Sequence, residues 1–253
     1  NLFVVQFNSS NQIAIDAFTQ NWRVTSAVYR DVSSWYHIVL AFDTTQATAS
    51  NRIKLYINGE QIPDSAFATS NDPSFDTAYV VNSTNNHYIG VNSFTGNSNY
   101  FDGYLADINF VDGAALTADS FGEPDPITGV WSPIKFAGSY GTNGFHLEFA
   151  DNSNVTATTL GKDTSGNGNN WTPSGSPGFS VTAGAGNDSL VDSPTRYGTD
   201  TGAGGEVRGN YATWNPLDTL AAAVANYTNG NLDTAYTSAN YTGRATFGMT
   251  SGK

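Results

Sequence analysis

Ile53-Lys54-Leu55-Tyr56-Ile57-Asn58-Gly59-Glu60-Gln61-Ile62 is the stretch that decides how this chain folds. Ile53, Leu55 and Ile57 alternate with Lys54 and Tyr56, the period-two pattern of a strand with one buried and one wet face. Asn58-Gly59 comes directly after. That dipeptide accepts positive φ at both central positions of a type I′ turn, so the chain should reverse there into a hairpin. Upstream, the run from Trp35 to Phe42 is almost continuously apolar and has the length of a sandwich-core strand. Tyr88-Ile89-Gly90-Val91 and the run from Gly103 to Val111 read as further strands. In the latter, Leu105 cannot share a face with Ile108 and Phe110, so a bulge or burial on both faces is expected. Thr117 to Gly122 reads as one helical turn, with Thr117 as N-cap and Gly122 as stop.

Composition points the same way. Of 253 residues, 13 % are charged and 13 % aromatic, with 26 Gly, one Met and four Glu, which favours strands and turns over helices. The net charge of −12 repels phosphate backbones and anionic lipid, so neither nucleic acid nor a membrane surface is an expected partner. No apolar run is long enough to insert into a membrane as a helix. There is no Cys, hence no disulfide and no thiolate metal site; core burial or oligomerisation must supply stability.

The chain changes character near residue 125. Residues 1–125 carry 6 of the 26 Gly and a net charge of −9, from 4 basic and 13 acidic residues. Residues 126–253 carry the other 20 Gly and a net of −3, from 6 basic and 9 acidic residues. Pro124 and Pro126 stop a strand at this point, and a boundary is expected there. Beyond it, Gly144 to Phe149 alternates, burying Phe145, Leu147 and Phe149 and exposing His146 and Glu148. Leu220 to Ala225 reads as a short helix. Asn210-Tyr211, Asn226-Tyr227 and Asn240-Tyr241 form a faint repeat, with spacings too irregular for a solenoid.

Five motifs in order carry a family resemblance: Trp35 to Val39, Leu55 to Gly59, Tyr88 to Gly90, Phe101 to Ile108, and Ala115-Leu116. Together they resemble the laminin G-like pattern of the concanavalin A-like superfamily. The resemblance covers roughly residues 1–122 and implies an antiparallel jelly-roll β-sandwich, its opening strands expected upstream of Asn1. Residues 126–253 are then a Gly-rich, loop-heavy β region leading into a further domain. The stretches from Gly129 to Trp171 and from Ala185 to Thr195 resemble the segments C-terminal to this domain in marine phage tail-fibre and virion proteins. Ala245 to Lys253 resembles the approach to a SPRY-type sandwich.

The candidate chemistry is sparse. Glucanases of this superfamily carry a strand-borne cluster of carboxylates, and retaining hydrolysis needs two carboxyl groups about 5 Å apart. Here the four Glu are isolated, and the resemblance makes Asp102 and Asp107 turn and edge residues. With no Gly-x-Ser-x-Gly elbow and three scattered His, of which His37 reads as a hydrogen-bonded sheet residue, no enzyme is expected. No cofactor is implied beyond a candidate calcium loop at Asp163, Ser165 and Asn167, which lacks the closing bidentate Glu; an Asx-stabilised turn is the preferred reading. Asn97, Asn99 and Tyr100, and Asn169, Asn170 and Trp171, pair amides with an aromatic ring as saccharide sites do. Packing at the sandwich end is the preferred reading of each ring.

The resemblance implies a structural virion protein, a tail-fibre or capsid-appendage subunit at the virion surface. Its expected partners are further copies of itself, other virion proteins and host-surface polysaccharide. Two alternatives stay open: a cellular adhesin or matrix module that binds glycans, and a polysaccharide depolymerase.

Overall fold

The computed structural model describes residues 3–17, 20–32, 34–92, 99–126, 128–175 and 179–181, with the backbone of four short strands between 214 and 245. Asn97, the expected helix at 220–225, and the first and last members of the Asn-Tyr repeat lie outside the described residues, as do 185–195 and 246–253. The described elements are strands and single 3-10 turns.

The strands are β1 (Phe3–Phe7), β2 (Ile13–Ala17), β3 (Gln20–Thr25), β4 (Ile38–Phe42), β5 (Ile53–Ile57), β6 (Glu60–Gln61) and β7 (Phe67–Ser70). Then come β8 (Val91–Asn92), β9 (Asn99–Tyr100), β10 (Ile108–Phe110), β11 (Gly122–Pro124), β12 (Trp131–Pro133) and β13 (Phe145–Leu147). The last four are β14 (Trp214–Thr219), β15 (Asn226–Thr228), β16 (Asp233–Ala235) and β17 (Gly243–Ala245). All named pairings are antiparallel.

Two units are compact: residues 1–105 with 111–143, and residues 106–110 with 144–253. Composition shifts at 125, but the contacts divide the chain elsewhere, because the β11–β12 hairpin that spans residue 125 packs within the first unit.

In the first unit, sheet β1-β2-β3-β7 faces sheet β4-β5-β6. Ile13, Ile15 and Trp22 from the former meet Ile53, Leu55 and Ile57 from the latter, so the expected alternation closes a sandwich core. Trp22 stacks on Phe42 at 5.6 Å and meets Tyr79 edge-on at 4.7 Å. Asn58 (φ 49°) and Gly59 (φ 87°) make the β5–β6 turn as their sequence requires.

Several local expectations change, and Tyr88 to Gly90 stay outside β8. The β4 strand starts at Ile38, leaving Trp35 to His37 outside the ladder. Tyr56 is buried at 6 % exposure rather than wet, because Val39, Ala41 and Tyr56 form a second cluster with Ala118, Phe121 and Trp131 on the outer face of β5. The run 103–111 is a strand only from Ile108, since Asp107 turns the chain with φ 53° and leaves Leu105 exposed. The turn at Ala118–Ser120 is 3-10, Thr117 makes no side-chain cap bond, and Gly122 already belongs to β11.

In the second unit, β10 pairs with β13, and Phe110 stacks on Phe145 at 5.4 Å. The strand ends at Leu147, and Phe149 adopts φ 56°. His146 is buried rather than exposed, and Glu148 is half-buried.

Candidate functional site

Two places gather functional side chains, one in each unit. In the first unit, β8 and β9 form a minimal hairpin in which Val91 pairs with Tyr100 and Asn92 with Asn99. The Phe101 N–H extends it by donating to the Gly90 carbonyl at 2.8 Å, where Gly90 has φ 79°. Phe101 also lies over Gly103, where any Cβ would collide with the ring, and stacks on Phe7 of β1 at 6.2 Å.

From Asn99 to Leu105 every residue is exposed. Tyr100 is 64 %, Tyr104 58 % and Tyr88 50 % exposed. Isolated exposed apolar residues are ordinary, but three aromatics within five positions on one surface segment are not. Tyr100 therefore does not plug the sandwich; its ring is available to a ligand. Tyr88, Phe101 and Tyr104 join the sequence candidates Asn99 and Tyr100. The signal that could have found them was the aromatic spacing of Tyr100-Phe101-Asp102-Gly103-Tyr104, which reads equally well as strand.

In the second unit, the candidates at 163–171 serve the fold. Asp163 is 6 % exposed, and its carboxylate accepts four hydrogen bonds: from the backbone N–H groups of His146, Ser165 and Asn169 and from Ser165 Oγ, at 2.8–2.9 Å. Burial works against its charge, but these donors outweigh it and hold the carboxyl below the usual carboxylate range. Asn167 and Asn169 both donate through Nδ2 to the Gly144 carbonyl at 2.9 Å, and the Asn170 side chain accepts from the Asp163 N–H at 2.8 Å. Trp171 packs on Phe145 with ring centroids 4.9 Å apart.

This is an Asx-stabilised turn. Donor hydrogens, not oxygen ligands, converge on Asp163, which is the reverse of a calcium cradle. Among the described residues no group of three or more His, Asp or Glu could hold a metal ion.

Beside it, His146 Nε2 sits 2.6 Å from Asp107 Oδ1, and Nδ1 sits 2.9 Å from Thr164 Oγ1 and 3.5 Å from Glu148 Oε1. The pattern has the outline of an acid–base–hydroxyl relay. However, the imidazole is 2 % exposed and stands between the two carboxylates, in contact with both. The nearby backbone N–H groups of Thr164, Ser165 and Asn169 are spent on His146 O and on Asp163, so they offer nothing to an oxyanion. The arrangement pins β13 to the loop after it.

Residues 1–120 match the laminin G family model described as the concanavalin A-like lectin/glucanases superfamily, and the sandwich of the first unit agrees with that fold. No curated protein and no solved structure matches the chain. The matched region contains the whole β8–β9 aromatic surface and stops short of Asp163.

Proposed function

We propose, starting from a concanavalin A-like domain over residues 1–120, that this chain is a structural virion-appendage protein that recognises surface saccharide through its β8–β9 hairpin. The observation that carries the saccharide half is the exposed run Asn99 to Leu105, with Tyr100 and Tyr104 beside amide and carboxylate groups. The virion half rests on the likeness of residues 129–171 and 185–195 to phage tail-fibre chains. Glycan-array binding by the intact protein tests recognition, with loss of signal in Tyr100→Ala expected. Antibody labelling of purified particles tests location. Silence on the array, or labelling only of cell surfaces, would refute the corresponding half.

Self-association belongs to the same reading, and a specific feature favours it. In β1, Val5 faces Ile15 and Phe7 faces Ile13 across the ladder, so both point toward the core side of the sheet. Yet both are exposed, because β1 is an edge strand whose outer ladder is unpaired among the described residues. A second copy would cover this edge.

A further inference from the structure

We infer that the ligand of the β8–β9 surface is a neutral saccharide and that acidic polysaccharides are turned away. This deepens the saccharide reading above and rests on it.

Between Lys54 and Lys135 the chain contains no Lys or Arg, while ten Asp and Glu fall in the same interval. All the exposed aromatics of the surface lie inside it: Tyr88, Tyr100, Phe101 and Tyr104. The nearest histidine, His87, is held through Nδ1 against the Asn85 carbonyl at 2.7 Å. Asp102 is exposed and lies between Phe101 and Tyr104 in the sequence, so the same exposed segment carries a carboxylate.

A uronate, sialate or sulfate placed on these rings would meet the carboxylate of Asp102, and the segment that carries the rings supplies no Lys or Arg to offset it. Recognition of carboxylate and sulfate ordinarily draws on Arg or Lys, and none is within this part of the sequence. A neutral sugar meets no such penalty. Its apolar face can lie on Tyr100 or Tyr104, and its hydroxyls can donate to Asp102 and bond the Asn99 amide.

The test measures binding of the full-length protein to neutral polysaccharides (dextran, mannan, galactan) and acidic ones (alginate, hyaluronate, chondroitin sulfate) at low and high salt. Neutral polymers are expected to bind at least about tenfold more tightly at low salt, with the gap narrowing as salt screens the repulsion. Tyr100→Ala and Tyr104→Ala should weaken neutral binding with circular dichroism unchanged, because both side chains are exposed. Asp102→Lys should raise affinity for the acidic polymers. Equal or tighter binding of acidic polymers at low salt would overturn the ligand class while leaving saccharide recognition intact. Neutral binding that survives both tyrosine substitutions would overturn the site. No binding to any polymer would overturn both.

Discussion

The indole N–H of Trp131 donates to Nδ1 of His37 at 3.0 Å, joining two residues 94 positions apart. His37 is in turn locked to the hairpin turn: its N–H donates to Asn58 Oδ1 at 2.9 Å, and its carbonyl accepts from the Asn58 N–H at 2.8 Å. The Trp131 ring lies flat against Gly59 and Gly122, where an added Cβ at either position would strike it. One indole thus caps the outer face of β5, and the Asn58-Gly59 turn is also a tertiary contact.

Gly59→Ala should therefore cost more than a turn glycine alone. The φ of 87° strains any L side chain, worth about 1–2 kcal/mol, and the methyl must displace the ring. Trp131→Ala should cost about 3 kcal/mol through lost packing. Urea unfolding midpoints check both. The double variant should lose less than the sum, since Gly59→Ala already disturbs the contact that Trp131→Ala removes.

The range of each interaction decides whether it is legible in sequence. Ile53, Leu55 and Ile57 announce the inner face because alternation is local, and Asn58-Gly59 announces the turn because positive φ is a property of those residues. Tyr56 and His146 defeat the same reasoning because their burial depends on distant partners: Trp131 and Ala118 for the first, Asp107 and Thr164 for the second. No periodicity carries that information. The Asp163 turn is legible as a turn, since Asp-x-Ser-x-Asn-Gly favours Asx geometry, but its tie to His146 is not. Tyr100 is legible as a candidate by chemistry; that it faces solvent depends on how short the β8–β9 ladder is.

Asp163 makes the second unit sensitive to acid. Its carboxyl is held below the unfolded value of about 3.9, so its stabilisation is fully present above that pH and is lost as pH falls through the lower folded value. Asp163→Ala should remove this dependence and lower stability at pH 7 by about 3 kcal/mol, because four donors lose their acceptor. Unfolding followed between pH 2 and pH 7 in both proteins decides it (an unchanged acid profile in the variant would contradict the assignment).

Asp16 behaves in the opposite sense. Burial raises its carboxyl pKa, against the lowering effect of the Gln6 side chain, which donates to Oδ2 at 2.5 Å; Oδ1 is buried without a partner. The protonated form is favoured in the folded state, so this group's contribution falls as pH rises through the folded value. Asp16→Asn keeps an acceptor for Gln6 and removes the buried charge. A gain of order 1 kcal/mol at pH 7, shrinking toward pH 4, is expected from thermal unfolding.

The β1 edge supplies the last prediction. Read outward from Val5, the strand Phe3-Val4-Val5-Gln6-Phe7 is nearly palindromic: an antiparallel copy centred there sets Phe3 opposite Phe7 and Val5 opposite itself. The strand has no Lys, no Pro and no charge, the devices that ordinarily keep an edge from pairing. Pairing would bury Val5 further, which is 45 % exposed on the core side of an edge strand with no outer partner among the described residues. Light scattering of the wild-type protein should show a concentration-dependent dimer, and Val5→Lys should shift it to monomer with little change in circular dichroism. A wild-type protein that stays monomeric at high concentration would show that the edge is not a self-association surface. That outcome would leave the saccharide test to be read separately, on Tyr100 and Tyr104, which lie outside β1.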